Sequence, residues 1–348
     1  MSEQIEALKV RVESSKLVKP LYKGEPSWAD LCIPLSVFDK ITCNNYMAVI
    51  YAFEPTSPSN SDIEKGLATA LSEYREWAGR LREDARGEPV ILLNDSGARF
   101  VEASSDAVLD RTVLLGSNFL VAWGLATRGL PMGPHPLHDR GAFIPRNPPC
   151  VEFEHRGVEF KPKNASDTEN LPLTADIARG LDERITSHIR ISVDGRARLR
   201  PPVPDEYFGN LVLWAFPRAK VGDLVNKPLQ FAAALVREGI TRLDDGYYRS
   251  FIDFASSEKV KEEGLEATAE VHERVMSPNL EAHSWLRFPF RDVDFGGGNP
   301  FLFMPTYTRE EGLLFLMPSA IGDGSIEVYV SSLEHNVAPF KQLCNLLD

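Results

Sequence analysis

Pro134-His135-Pro136-Leu137-His138-Asp139-Arg140 is the stretch on which the fold of this chain turns. It gathers two histidines, a carboxylate and a guanidinium within seven residues. His135 and Asp139 stand at His-x-x-x-Asp spacing, a pattern associated with acyl transfer, and either histidine has the chemistry of a general base. A metal held by His135, His138 and Asp139 suits the stretch less well, because Pro136 breaks the helix that usually presents such ligands. The surroundings favour another reading. From Pro131 to Asn170 prolines are dense and apolar periodicity is lost, which marks a long connector. Read so, the chain divides into an N-terminal domain over 1–130, a Pro-rich crossover over 131–170 and a C-terminal domain over 171–348.

The bulk numbers agree with two domains. Single cores stop growing near ~250–300 residues, and this chain has 348. Its apolar fraction of 43% and charged fraction of 25% are those of an ordinary globular protein. The net charge of -12 argues against nucleic acid, which needs Lys and Arg to replace phosphate counterions, and against an anionic membrane. Such a charge can favour cationic small molecules, but plain solubility is the simpler reading of it. Cys32, Cys43, Cys150 and Cys344 lie far apart with no C-x-x-C, so the cysteines predict a reducing, cytoplasmic compartment. Met1 to Leu8 is charged and lacks the apolar centre of a signal peptide. The runs Leu211 to Phe216 and Leu313 to Pro318 are too short to span a bilayer.

The pattern along the chain predicts an α/β (α+β) protein with mixed sheets. Val10 and Val12 alternate with charges as a half-exposed strand, and Met47 to Phe53 reads as a buried one. Ser61-Asp62-Ile63-Glu64 has the form of a capping box. It opens a helix whose stripe is Ile63, Leu67, Leu71, Tyr74, Trp77 and Leu81, with Arg75, Glu76 and Arg80 on the solvated face and Gly87 as the stop. Pro89 to Leu93 and Arg99 to Glu102 read as a strand pair joined at Asn94-Asp95-Ser96-Gly97. Ser117 caps a helix from Asn118 to Ala126. In the second half, a short helix is expected over Thr174 to Ile185, strands over His188 to Val193 and Leu211 to Phe216, and helices over Val221 to Leu243 and Asp244 to Ala255. Leu313 to Met317 and Ile326 to Val330 form a hairpin across Gly322-Asp323-Gly324, and Asn336 to Leu347 a closing helix. The cluster Gly296-Gly297-Gly298 lacks the Lys-Ser/Thr of a phosphate loop and reads as a tight turn. No G-x-S-x-G elbow is present.

Several short motifs then fall into order. Val37-Phe38-Asp39, Tyr74-Arg75-Glu76-Trp77-Ala78-Gly79-Arg80-Leu81, Pro136-Leu137-His138-Asp139-Arg140 and Asp294-Phe295-Gly296-Gly297-Gly298 together resemble the plant BAHD acyltransferases. Val193-Asp194-Gly195-Arg196, Tyr207-Phe208-Gly209-Asn210 and Gly322-Asp323-Gly324-Ser325 resemble the branch that makes hydroxycinnamoyl amides of agmatine and putrescine. The resemblance runs from about Val10 to the C-terminus. It implies two chloramphenicol-acetyltransferase-like domains flanking a solvent channel, with an acyl-CoA thioester entering from one side and a small amine from the other. Acyl-CoA is then a co-substrate and no cofactor resides in the protein, which is expected to be a cytoplasmic monomer. The family's base is the His of an His-x-x-x-Asp-Gly motif, whose Asp is structural. Its Asp-Phe-Gly-Trp-Gly motif, matched by Asp294, Phe295, Gly296 and Gly298, shapes the second domain away from the reacting atoms, and Gly297 here removes a large packing group.

Two departures follow from the same resemblance. The family's His-x-x-x-Asp-Gly comes just before the segment matching Ser117 to Gly124, which in this chain follows directly on Thr112-Val113-Leu114-Leu115-Gly116. A second gap lies between Arg184 and His188, where the family has an apolar helix. Both junctions look like clean excisions, as an alternative transcript or a misplaced exon boundary would leave. His138, Asp139 and Arg140 then match the family's crossover segment, where they are expected to pin the chain by local hydrogen bonds. The His135-x-x-x-Asp139 spacing becomes coincidental, and no catalytic residue is assigned. The expected function is transfer of a hydroxycinnamoyl group to an amine, impaired by the missing base. The alternative is a non-catalytic or truncated member.

Overall fold

Alternation of apolar and polar residues over short runs, punctuated by Gly and Pro, yields many short strands. A computed structural model describes residues 10–24, 32–42, 48–55, 58–105, 118–163, 183–268, 278–306 and 310–344. The first half holds β1 (Val10–Val18), β2 (Cys32–Pro34), α1 (Val37–Lys40), β3 (Val49–Ala52), α2 (Asn60–Glu73), β4 (Arg80–Glu83), β5 (Pro89–Leu92), β6 (Ala98–Ser105) and α3 (Asn118–Thr127). β7 (Phe160–Pro162) closes the crossover. The second half adds β8 (Thr186–Asp194), β9 (Val212–Ala215), β10 (Arg218–Lys220), α4 (Val221–Asn226), α5 (Leu229–Thr241), α6 (Asp245–Ala255), α7 (Glu258–Glu262), β11 (Leu265–Ala267) and β12 (Leu280–Ser284). β13 (Leu302–Pro305), β14 (Leu313–Pro318), β15 (Ile326–Val330) and α8 (Glu334–Cys344) end it.

The main sheet has six strands and is mixed. β12 lies parallel between β8 and β14, β15 pairs antiparallel with β14, and β9 and β10 share the other edge of β8. The expected α/β class with mixed sheets is the observed one. The hairpin across Gly322 to Gly324 is present, with Pro318 opposite Ile326. Both halves exchange chain. Phe38 of α1 is fully buried against Phe143, Tyr248 and Phe251 in the core under α6, and β3 pairs antiparallel with β13. Truncating a buried phenylalanine of this kind costs about 3–5 kcal/mol.

Local chemistry moves several elements from their expected places. Helix α2 begins two residues early, because Ser59 is the N-cap and accepts the Asp62 amide. It ends at Glu73, and Arg75–Ala78 is a 3-10 turn. That turn buries Arg75 and Glu76, which periodicity had set on the wet face, and leaves Trp77 and Leu81 exposed. Arg75 is turned inward by Asp95, through Nε at 3.1 Å, and by the Leu93 carbonyl at 3.0 Å. Gly87 stops no helix; it lies in the turn between β4 and β5 with φ 77°. β5 and β6 do not pair with each other. β5 lies between β2 and β4, β6 pairs with β1, and Asn94 to Gly97 carries the chain between two sheets. Pro228 splits the long helix expected after Val221 into α4 and α5. The helix expected over Thr174 to Ile185 falls outside the described residues up to Asp182, and Glu183 and Arg184 form a turn into β8. α8 starts at Glu334 and exposes Val337, Phe340 and Leu343, while Leu347 lies outside the described residues. Neither α5 nor α8 buries a single described residue. Among the described residues, no helix is long and apolar enough to cross a membrane.

Candidate active site

The prolines of the crossover deny it regular structure, so side chains must hold it. It is held from both halves. From the first, Tyr74 donates its hydroxyl to the Pro134 carbonyl at 2.8 Å. From the second, Leu137 lies beside Tyr207: its amide donates to the Glu206 carbonyl and its carbonyl accepts the Phe208 amide. His138 Nε2 contacts the buried Glu76 carboxylate, and its ring packs edge-on to Phe208. Asp139 accepts the Gly141 amide at 2.7 Å. Arg140 donates to the His138 carbonyl and stacks over Tyr207 at 4.9 Å.

The next part of the crossover is clasped by α6. Asp253, 1% exposed, accepts the Arg146 and Cys150 amides and the Arg146 guanidinium. Burial alone would raise the Asp253 carboxyl, but those donors outweigh it and hold its pKa below the usual carboxylate value. The folded pKa is the lower one, so this clasp stabilises fully above about pH 4 and is lost as pH falls through the folded value. Asp253→Asn is therefore expected to cost about 1.5–3 kcal/mol at pH 7. Urea unfolding at pH 7 and pH 3 should show the variant losing less stability on acidification than the wild type.

His155, Glu159 and Ser250 form a second buried group, all without exposure. His155 Nδ1 lies 3.0 Å from Glu159 Oε2, and Nε2 lies 3.0 Å from Ser250 Oγ. The order is that of a hydrolytic triad, but its use is structural. Ser250 Oγ accepts the amides of Glu152 and Phe153 and is closed off from solvent. Tyr247 completes the group by donating to Glu159 Oε1 at 2.9 Å.

Between the halves lies a cleft of about 390 Å³. Tyr74, Trp77, Asn118 and Phe119 line it from the first half, Pro134 to Pro136 from the crossover, and Asp194, Arg196, Asp205 to Gly209 and Arg287 to Pro289 from the second. Exposure of Trp77 thus has a physical reason: it stacks on Phe119 at 5.1 Å and forms one wall. Several motifs meet around this space. Ser36 caps α1 by accepting the Asp39 amide, and Asp39 accepts the Asn210 amide at 2.6 Å. Arg196 donates to the Tyr207 and Gly209 carbonyls. A line of rings runs from Phe295 through Trp123, Phe119 and Trp77 to Phe208.

His135 reaches this cleft and is not joined to Asp139. Its Nδ1 lies 3.1 Å from Glu73 Oε2, with the imidazole 67% exposed. Among the described residues no group of three or more His, Cys, Asp or Glu side chains is placed to hold a metal ion.

The sequence model described as the Transferase family matches residues 8–118 and 173–347. The rice (Oryza sativa subsp. japonica) agmatine hydroxycinnamoyltransferase 1 is 41% identical, with 98% of this chain and 99% of that protein covered. Agmatine coumaroyltransferase-1 of Hordeum vulgare is likewise 41% identical, at 98% and 100%. This chain belongs to the BAHD transferase family. Among solved structures, vinorine synthase superposes with a TM-score of 0.63 at 17% identity, covering 95% and 96% of the two chains. F. graminearum TRI101 complexed with coenzyme A and deoxynivalenol gives 0.64 at 13% identity, covering 90% and 97%. Both support the two-domain acyltransferase architecture.

The alignment with the rice relative runs over 446 residues against 348 in this BAHD chain, and it covers nearly all of both. The excess is positions without a counterpart here. The Leu115-Gly116-Ser117 junction lies outside the described residues, one residue short of where the first matched block ends. The Asp294 loop is closed by its own side chain. Asp294 Oδ1 accepts the Gly296 and Gly298 amides, and its Oδ2 accepts Arg128 at 2.8 Å. Gly296 and Gly298 have φ of 118° and 98°, where only glycine sits without strain. Gly124 lets α3 touch this loop: a Cβ there would stand 2.5 Å from the Asp294 carbonyl. Gly124→Ala is expected to lower stability by about 1–3 kcal/mol, read as a fall in Tm; an unchanged Tm would show that the loop has room to move.

Glu73, Asp205, Glu206 and Arg287 gave no signal in the sequence. Each is a charged residue without periodicity, and only the crossover brings Glu73 beside a partner 62 positions away.

Proposed function

We propose that this BAHD chain binds a hydroxycinnamoyl-CoA thioester and a cationic amine of the agmatine or putrescine kind, and transfers the acyl group between them at a reduced rate. The observation that carries this is the cleft, with an aromatic wall and an acidic rim. Trp77, Phe119, Phe208 and Phe288 offer flat apolar faces to a phenylpropenoyl ring. Asp205 and Glu206 offer negative charge to a guanidinium or ammonium group, while Asp194 is paired with Arg196 at 3.2 Å. The agmatine-using relatives support the amine class. TRI101, whose structure holds coenzyme A, supports the donor class through the shared fold.

The reduced rate follows from the missing base. An alkyl amine is mostly protonated at neutral pH and attacks a thioester only when a proton has been lost. His135 is the sole histidine with Asp four residues on, and Arg140 follows that Asp where the family has Gly. The test is thiol release from coumaroyl-CoA with agmatine, paired with calorimetric titration of the thioester. Binding with slow turnover is expected; turnover equal to that of the barley enzyme would sink the impairment.

A second reading, a non-catalytic member, is favoured by one observation. α5 and α8 are amphipathic, yet bury no described residue. Helices normally draw most of their stability from a buried face. A cooperative thermal transition of the purified chain, together with measurable turnover, would count against this reading.

A further inference from the structure

We propose that His135, oriented by Glu73, is the group that accepts the amine proton in this chain. The inference rests on the acyl-transfer reading of the cleft and adds the residue that performs it.

The geometry separates the two histidines of the crossover. His138 is spent: its Nε2 meets Glu76 and its ring lies against Phe208. His135 has the opposite arrangement. Its Nδ1 is engaged by Glu73 Oε2 at 3.1 Å, and no hydrogen bond to Nε2 occurs among the described residues. A carboxylate beside Nδ1 favours the tautomer that carries its proton there and leaves Nε2 as the acceptor nitrogen. His135 is also the one histidine among the described residues that lines the cleft, across from Phe208 and Phe288. The pairing does not depend on His-x-x-x-Asp spacing, because Asp139 is occupied by the Gly141 amide.

The step balances without any added reagent. The neutral amine nitrogen bonds to the thioester carbonyl carbon, and its proton passes to His135 Nε2. The C–S bond breaks with its electron pair on sulfur, and CoA leaves as thiolate. The imidazolium then returns its proton to the thiolate or to water.

The test uses the full chain with coumaroyl-CoA and agmatine, read as thiol release, with thioester binding measured separately. His135→Ala and His135→Gln are both made, since an imidazole this exposed is not part of the core. Each is expected to lower kcat by at least about tenfold, with KM and thioester binding unchanged. Glu73→Gln should give a smaller loss in kcat, and Asp139→Asn none. Wild-type turnover that survives both His135 changes overturns the proposal and leaves the acyl-transfer reading intact. Asp139→Asn costing as much as Glu73→Gln overturns the dyad in favour of the sequence motif. Thioester binding with no turnover removes His135 as a base while keeping the cleft as a binding site. Absence of both binding and turnover removes the acyl-transfer reading as well.

Discussion

Inserting a His-x-x-x-Asp-Gly segment between Leu115 and Ser117 is expected to raise amide formation from coumaroyl-CoA and agmatine by about 10²–10⁴-fold, the range a well-placed general base contributes. The physical basis is position. By the family resemblance that motif belongs just before the residues that form α3, and Asn118, the first residue of that helix, lines the cleft. A segment ending at Ser117 therefore delivers its histidine to the space already walled by Trp77, Phe119 and Phe208. The measurement is kcat for thiol release in the two chains under the same conditions. Thioester affinity should change far less than kcat, because the walls are present in both. In the restored chain His135→Ala should become nearly silent, since a better-placed base then takes the proton. A restored chain that is folded and binds the thioester but gains no rate would show that the cleft is not where acyl transfer occurs.

The second large effect is on stability. His155→Ala is expected to cost about 3–5 kcal/mol, the range for truncating a fully buried ring. The substitution leaves Glu159 Oε2 without its 3.0 Å partner and Ser250 without an acceptor for its hydroxyl proton, both at zero exposure. It also removes a ring packed among Tyr247, Phe251 and Phe254. Against a total of roughly 5–15 kcal/mol for a domain, such a loss unfolds a large share of molecules near physiological temperature. Urea denaturation monitored by tryptophan fluorescence gives the midpoint shift. A shift below about 1 kcal/mol would mean that water reaches the site and replaces the imidazole.

Much of the fold was legible because it rests on local rules. The alternation that marked β14 and β15, the glycines at 322 and 324, and the face of Tyr247, Phe251 and Phe254 on α6 all appear as read. The errors cluster where a distant partner decides. Arg75 looks like a surface residue until Asp95 and Leu93 are brought to it, and Trp77 looks like a core residue until the cleft opens beside it. β5 and β6 lie close enough in sequence to predict a hairpin, but β1 and β2 claim their edges first. For the site, the motifs supplied the supporting residues Asp39, His138, Arg140 and Asp294. They could not supply Glu73 beside His135, because that pairing exists only once Tyr74 has tied α2 to Pro134.

The pairing of β3 with β13 has a consequence for how the chain is made. Val49 meets Pro305 and Ala52 meets Leu302, so a strand from the beginning of the protein waits for one near its end. Ribosomes add about 5–20 residues per second, so β3 stands without its edge partner for roughly 10–50 s. During that time an apolar strand with unmet amide and carbonyl groups is open to other chains. Synthesis speed and chaperone supply should therefore set the yield of this protein more strongly than the stability of its finished fold. For the same reason the two halves, expressed as separate polypeptides, should aggregate apart and recover best when they are refolded together.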